Sequence, residues 1–221
     1  MGNPSPEEQN QIPRCARKDK LGRKSWVRVP QPPAPSSHVN MRAFIAIDLP
    51  EGIRAELRRK QASFRSVCPE ARWTQPEGIH LTLKFLGEIS DRQVREVSEG
   101  LKKLDRIESF TIGLKGFGFF PDARRPRVFW AGVDAPPNLP QLAEQVEEAM
   151  ARIGFAREAR AFRPHLTLAR FRVPQAQPAL QALLSQQGEQ DLGKFEVSEF
   201  FLFESKLSPR GAEYRKVVRF P

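Results

Sequence analysis

His80-Leu81-Thr82-Leu83 and His165-Leu166-Thr167-Leu168 are one tetrapeptide written twice in a chain with only three histidines, the third being His38. Threonine is nearly as scarce, so the repeat concentrates the chain's rarest polar residues in two places. A pair of imidazoles suits chemistry that needs a base and an acid together near neutral pH, because each titrates near 6.5. In-line displacement at phosphorus is such a reaction. One neutral ring takes a proton from attacking water, and the other, as imidazolium, protonates the leaving oxygen. The hydroxyls of Thr82 and Thr167 are compact donors for the non-bridging phosphate oxygens, whose charge must be stabilised in the transition state.

A lone histidine in a strand is ordinarily a satisfied structural residue, and it is the duplication that argues for more. Two histidines with no accompanying Cys, Asp or Glu cluster fall short of the three protein ligands of a catalytic zinc site. No G-x-S-x-G elbow marks a serine nucleophile, and one nucleophile–histidine pair would leave the second motif unexplained. Metal binding and a Ser or Cys nucleophile stay open as alternatives at this point. The acid–base reading calls for neither metal nor cofactor.

Both motifs must be carried by strands. A period of two places His80 with Thr82, and His165 with Thr167, on one face, while Ile79, Leu81, Leu83 and Phe85 point to the other. The same parity puts Lys84 on the His80 face and Arg170 on the face opposite His165. Around them, Ala43 to Leu49 reads as a buried strand closed by Pro50. Ile53, Leu57 and Phe64 mark an amphipathic helix ending before Pro69. Ala71 to Thr74 is strand-like. Ser90 with Gln93 forms a capping box for a helix to about Leu104. Strands are expected at Phe110 to Phe120 and Arg127 to Val133, then a helix capped by Asn138 that runs to Gly154. Pro164 introduces the strand His165 to Phe171. Gln175 to Gln187 reads as a helix, and Lys194 to Phe203 and Tyr214 to Phe220 as strands. This irregular alternation favours an α+β architecture over a doubly wound parallel sheet.

Composition bounds the setting. The chain has 221 residues, 36 Lys+Arg against 26 Asp+Glu, and two cysteines. No apolar run is long enough for a bilayer-spanning helix. Cys15 and Cys68 make no disulfide framework, which points to a reducing, cytoplasmic setting. Residues 1–40 hold seven of the 20 prolines without apolar periodicity and read as a disordered leader. The folded domain is placed at 41–221, where 29 basic and 23 acidic residues leave the positive excess that suits a polyanion.

The two motifs, with Met41 to Pro50, Arg72-Trp73, Leu83-Lys84-Phe85-Leu86-Gly87, Arg163 to Arg170 and Glu204 to Pro209, resemble the 2H phosphoesterase superfamily. Within it they are most similar to the RNA 2′,3′-cyclic phosphodiesterases, also called 2′-5′ RNA ligases. The resemblance covers nearly all of 41–221. It implies a bilobal α+β fold with two pseudo-twofold-related lobes of mostly antiparallel sheet, helices packed outside and a central cleft. It also implies hydrolysis of a terminal 2′,3′-cyclic phosphate to a 2′-phosphate, with His80 as proton donor and His165 as proton acceptor. The expected partner is RNA with such an end, the protein acting as a monomer without an obligate protein partner or a membrane.

Further candidates for substrate binding are the motif leucines Leu81, Leu83, Leu166 and Leu168, with Lys84, Arg163, Arg170 and Tyr214. The basic turn at Arg124-Arg125-Pro126-Arg127 is a candidate guide for an RNA backbone. Two other activities fit the same residues. One is 2′-5′ RNA ligation, the reverse reaction; the other is a non-catalytic module that holds RNA ends.

Overall fold

Most helix and strand signals become elements in the structure, a computed structural model that describes residues 14–18, 24–28, 40–208 and 211–221. These fall into two units, one within 1–38 and one within 39–221. In the first, Arg14–Lys18 (β1) and Lys24–Arg28 (β2) pair as an antiparallel ribbon. No regular structure was expected there. Backbone pairing needs only N–H and C=O groups, which side-chain periodicity does not announce. The remainder of 1–39, His38 included, lies outside the described residues.

In the second unit, Met41–Ile47 (β3), Leu81–Ile89 (β5), Phe200–Ser208 (β10) and Gly211–Phe220 (β11) form an antiparallel sheet in the order β11-β10-β3-β5. A second sheet has the order β4-β8-β7-β6-β9 and is also antiparallel. Its strands are Arg72–Trp73 (β4), Phe110–Phe120 (β6), Val128–Asp134 (β7), His165–Arg170 (β8) and Asp191–Val197 (β9). Glu51–Val67 (α1), Asp91–Lys102 (α2), Asn138–Arg152 (α3) and Pro178–Gln187 (α4) cover them. The helices exchange sheets. Helix α1 leaves β3 and packs with α4 and against β9, while α3 leaves β7 and packs with α2 and against β5. This is the α+β arrangement expected, with antiparallel sheets and the helices outside.

Local signals account for most boundaries. The Ser90 hydroxyl accepts the Gln93 N–H and the Gln93 side chain accepts the Ser90 N–H, so the capping box forms as read. Asn138 is not a cap. Pro137 holds that position in helical conformation, and its fixed φ carries the chain into α3 without a capping side chain. The single strand expected over Lys194 to Phe203 is two strands, β9 and β10, in different sheets. Ser198-Glu199 makes the crossing, and with no Gly or Pro there the apolar pattern looked continuous.

The main core lies between sheets and helices, and it takes Ala43, Ile45 and Ile47 from β3. The alternate residues Phe44 and Ala46 face the other way and join Phe201, Phe203 and Tyr214 in a separate apolar cluster. The four-stranded sheet is therefore apolar on both faces. Strands β5 and β8, which carry the two motifs, are where the sheets meet, with Cα atoms approaching within 8 Å.

Candidate functional site

His80 enters from a short 3₁₀ turn, Pro76–Gly78, immediately before β5. That turn is held by Arg54 on α1, whose guanidinium donates to the carbonyls of Leu49 (3.1 Å), Pro76 (2.6 Å) and Ile79 (3.1 Å) and pairs with Asp48. The ring of His80 stacks on Phe44, with centroids 4.3 Å apart, and meets Tyr214 edge-on at 5.0 Å. Tyr214 lies against the backbone at Gly78, where a Cβ would stand 2.7 Å from its ring. A glycine is needed for that approach. Burial pushes the His80 pKa down to about 4, with Arg54 adding to the effect, while Asp48 and a hydrogen bond to the Gly78 backbone oppose it.

His165 opens β8 directly after Pro164, which has no N–H to give to the ladder. Its Nδ1–H donates to the Arg163 carbonyl at 2.7 Å. A carbonyl only accepts, so in the neutral ring Nε2 is left free to take a proton. Phe120 supports the ring edge-on at 4.9 Å. Burial lowers this imidazole's pKa as well, and the Arg163 carbonyl opposes the shift while the charge of Arg170 assists it.

Two bulges set which side chains accompany the histidines. Along β5, Thr82 pairs with Ala46 and Lys84 with Ile45, leaving Leu83 as an extra residue. Along β8, Thr167 pairs with Trp130 and Ala169 with Phe129, leaving Leu168 extra. The extra residue is the second leucine of the tetrapeptide in both cases, and it inverts the parity of the residues that follow, in β5 as far as a second shift at Leu86. Three expectations are corrected for this one reason. Lys84 turns into the interior, 3% exposed, where its Nζ donates to both Glu147 oxygens at 2.8 Å and to the Ala156 carbonyl at 2.9 Å. Phe85 leaves the core side, is 56% exposed and pairs with Phe44 across the strands. Arg170 comes round to the side of His165.

A cavity of about 1250 Å³ is lined by Thr82 and Phe85 from the first motif strand and by Phe120, His165 and Arg170 from the second sheet. Arg163 also lines it. His80 itself is packed among Phe44, Phe203 and Tyr214. Burial raises the pKa of Tyr214, the residue edge-on to His80, and the charge of Arg170, which adds to the lowering at His165, opposes that rise. Thr82 lines the cavity while Thr167 does not, and among the described residues neither hydroxyl makes a hydrogen bond. The four motif leucines are core residues, each at most 6% exposed, and of them Leu83 also borders the cavity. Among the described residues no three His, Cys, Asp or Glu side chains converge to hold a metal ion.

Sequence reasoning missed Arg54, Phe44, Phe85 and Phe120. The first looked like one more charge on an amphipathic helix, and the aromatics looked like core. Only Phe85 left a usable signal, since Phe85 and Arg170 hold equivalent places in the repeated motif.

A family model described as LigT-like phosphoesterase matches residues 47–130 and 133–214. The chain belongs to this family. A relative from Methanothermobacter thermautotrophicus, named RNA 2′,3′-cyclic phosphodiesterase, is 33% identical over 183 residues, covering 82% of this chain and 99% of its own length. A crystal structure from Thermus thermophilus superposes with a TM-score of 0.68 at 29% identity, over 81% of this chain and 97% of that one. The crystal structure of E. coli LigT complexed with 3′-AMP gives 0.65 at 29% identity, over 82% and 97%. Placed on this LigT-like phosphoesterase, the matched residues run through both motif strands and both sheets. Among the described residues no helix is long and apolar enough to cross a membrane.

Proposed function

We propose that this LigT-like phosphoesterase is an RNA 2′,3′-cyclic phosphodiesterase that opens a terminal 2′,3′-cyclic phosphate to a 2′-phosphate by two-histidine acid–base catalysis without a metal. The observation that carries the reading is the twin motif on adjoining strands, each histidine backed by an aromatic ring and followed by a threonine hydroxyl. The names of the relatives support the substrate class.

In this mechanism water attacks phosphorus in line with the P–O3′ bond. His165 Nε2 takes the water's proton while His80 gives one to the leaving 3′-oxygen. Thr82, Thr167 and Arg170 hold the non-bridging oxygens as their charge rises. His80 is neutral in the free protein, and the arriving phosphate anion raises its affinity for the proton it must deliver. A second assignment, with the roles exchanged, is favoured by the same low pKa, since a neutral His80 is ready to accept. With a 5′-hydroxyl in place of water as nucleophile, the same groups form a 2′-5′ phosphodiester as the P–O3′ bond breaks and the 3′-oxygen takes the proton. Both motifs lie on one chain, so a monomer without a protein partner suffices, and the scarcity of cysteine suits the cytoplasm.

The test is to incubate the full chain, with chelator present, with an oligoribonucleotide ending in a 2′,3′-cyclic phosphate and to identify the product. A 2′-phosphate is expected. A 3′-phosphate contradicts the leaving-group assignment, loss of activity with chelator contradicts the metal-free chemistry, and binding without turnover supports an end-holding module instead.

A further inference from the structure

The cavity is larger than one nucleotide needs, since pockets for drug-sized ligands run roughly 300–1,000 Å³, and its volume is about 1250 Å³. Away from His165 its wall is the irregular segment 157–163, Arg127 and the part of α3 that carries Glu144 and Glu147. Charges along this wall are not all neutralised. Glu144 pairs with Arg157 at 3.2 Å and Glu147 with Lys84 at 2.8 Å. Arg127, Arg160 and Arg163 are exposed and have no ion-pair partner among the described residues. Of the acidic side chains on the cavity wall, this leaves Glu158 alone outside a pair.

The segment is also fastened at its root. Lys84 Nζ donates to the Ala156 carbonyl, and Glu147, held by the same Lys84, accepts the Glu158 N–H at 2.9 Å. A buried ion pair between β5 and α3 thus fixes where the arginines begin, which reduces the ordering cost when an anion binds. Arginines along a groove that continues from a reacting phosphate suit the phosphodiesters of a single strand.

Resting on the proposed function, we propose that Arg127 and Arg160, with the segment 157–163, form a subsite for the phosphodiester upstream of the reacting end. The protein then selects ends of polynucleotide chains over mononucleotide cyclic phosphates.

The test compares two substrates on the full chain: cytidine 2′,3′-cyclic monophosphate and a short single-stranded RNA ending in 2′,3′-cyclic cytidine phosphate. The oligonucleotide should show the higher kcat/KM. Replacing Arg127 and Arg160 together with Gln should lower that value by roughly tenfold or more, mainly through KM. Its salt slope should flatten by roughly 0.7 for each arginine removed. The loss should be confined to the oligonucleotide. Equal loss on both substrates, or none on the oligonucleotide, overturns the subsite while leaving the activity in place. If the unmodified protein turns over neither, the proposed function fails and this inference with it, a result distinguishable from the others.

Discussion

Phe85 and Arg170 occupy equivalent positions, each the fifth residue after its histidine, and both line the cavity because Leu83 and Leu168 are bulged out of their ladders. The fold thus places unlike side chains at like points, a ring on one side and a guanidinium on the other. A ring suits the base of the terminal nucleotide, and a guanidinium suits its phosphate.

Substitution separates those two roles. Phe85→Ala should raise KM about tenfold with kcat little changed, since base stacking on an aromatic is worth roughly 1–3 kcal/mol. Arg170→Gln should lower kcat by about 10²–10³, the usual cost of one transition-state donor. Steady-state kinetics on the oligonucleotide checks both. An unchanged kcat for Arg170→Gln would remove that residue from the phosphate.

Lys84 is tested through folding. It is buried with its Nζ on Glu147, so Lys84→Met leaves a carboxylate without its partner and should cost about 3–5 kcal/mol. Replacing both Lys84 and Glu147 with Met should restore much of this, because no lone charge remains. Denaturant unfolding measures the three variants. Equal stability of Lys84→Met and the parent would mean that the pair is not formed in solution.

That residue also shows what the sequence could and could not tell. The twin motifs, the capping box at Ser90 and the alternation in β3 were legible because each is a local pattern with its own physical cause. The facing of Lys84, Phe85 and Arg170 was not, since a bulge is defined by the partner strand and leaves the sequence of its own strand unmarked. Arg54 was invisible for a similar reason: its acceptors on Pro76 and Ile79 are brought to it only by the fold. The break at Ser198-Glu199 depends on which sheet each half joins, and the β1–β2 ribbon is a backbone pairing.

Acid should destabilise the fold through His80. Its folded pKa is about 4, against about 6.5 when unfolded. Above that upper value both states are neutral and this residue adds no pH dependence. Between the two values the unfolded chain binds a proton that the folded chain refuses, so stability falls as pH drops, by up to about 3 kcal/mol. His80→Phe should flatten this part of the profile. Arg54→Gln should raise the His80 pKa, by removing a positive charge and leaving Asp48 to act alone. NMR titration of the His80 ring reads that shift directly, and a downward shift would contradict the electrostatic account.

The central claim is that His80 and His165 work as a unit on one phosphate, and kcat/KM for His80→Ala, His165→Ala and the double variant tests it most directly. Each single change should abolish nearly all turnover of the oligonucleotide, with the double variant losing little more, because a displacement lacking either proton transfer is already stalled. Losses that multiply in the double variant, or a single variant that keeps most of its activity, would show that the two rings do not share the reaction.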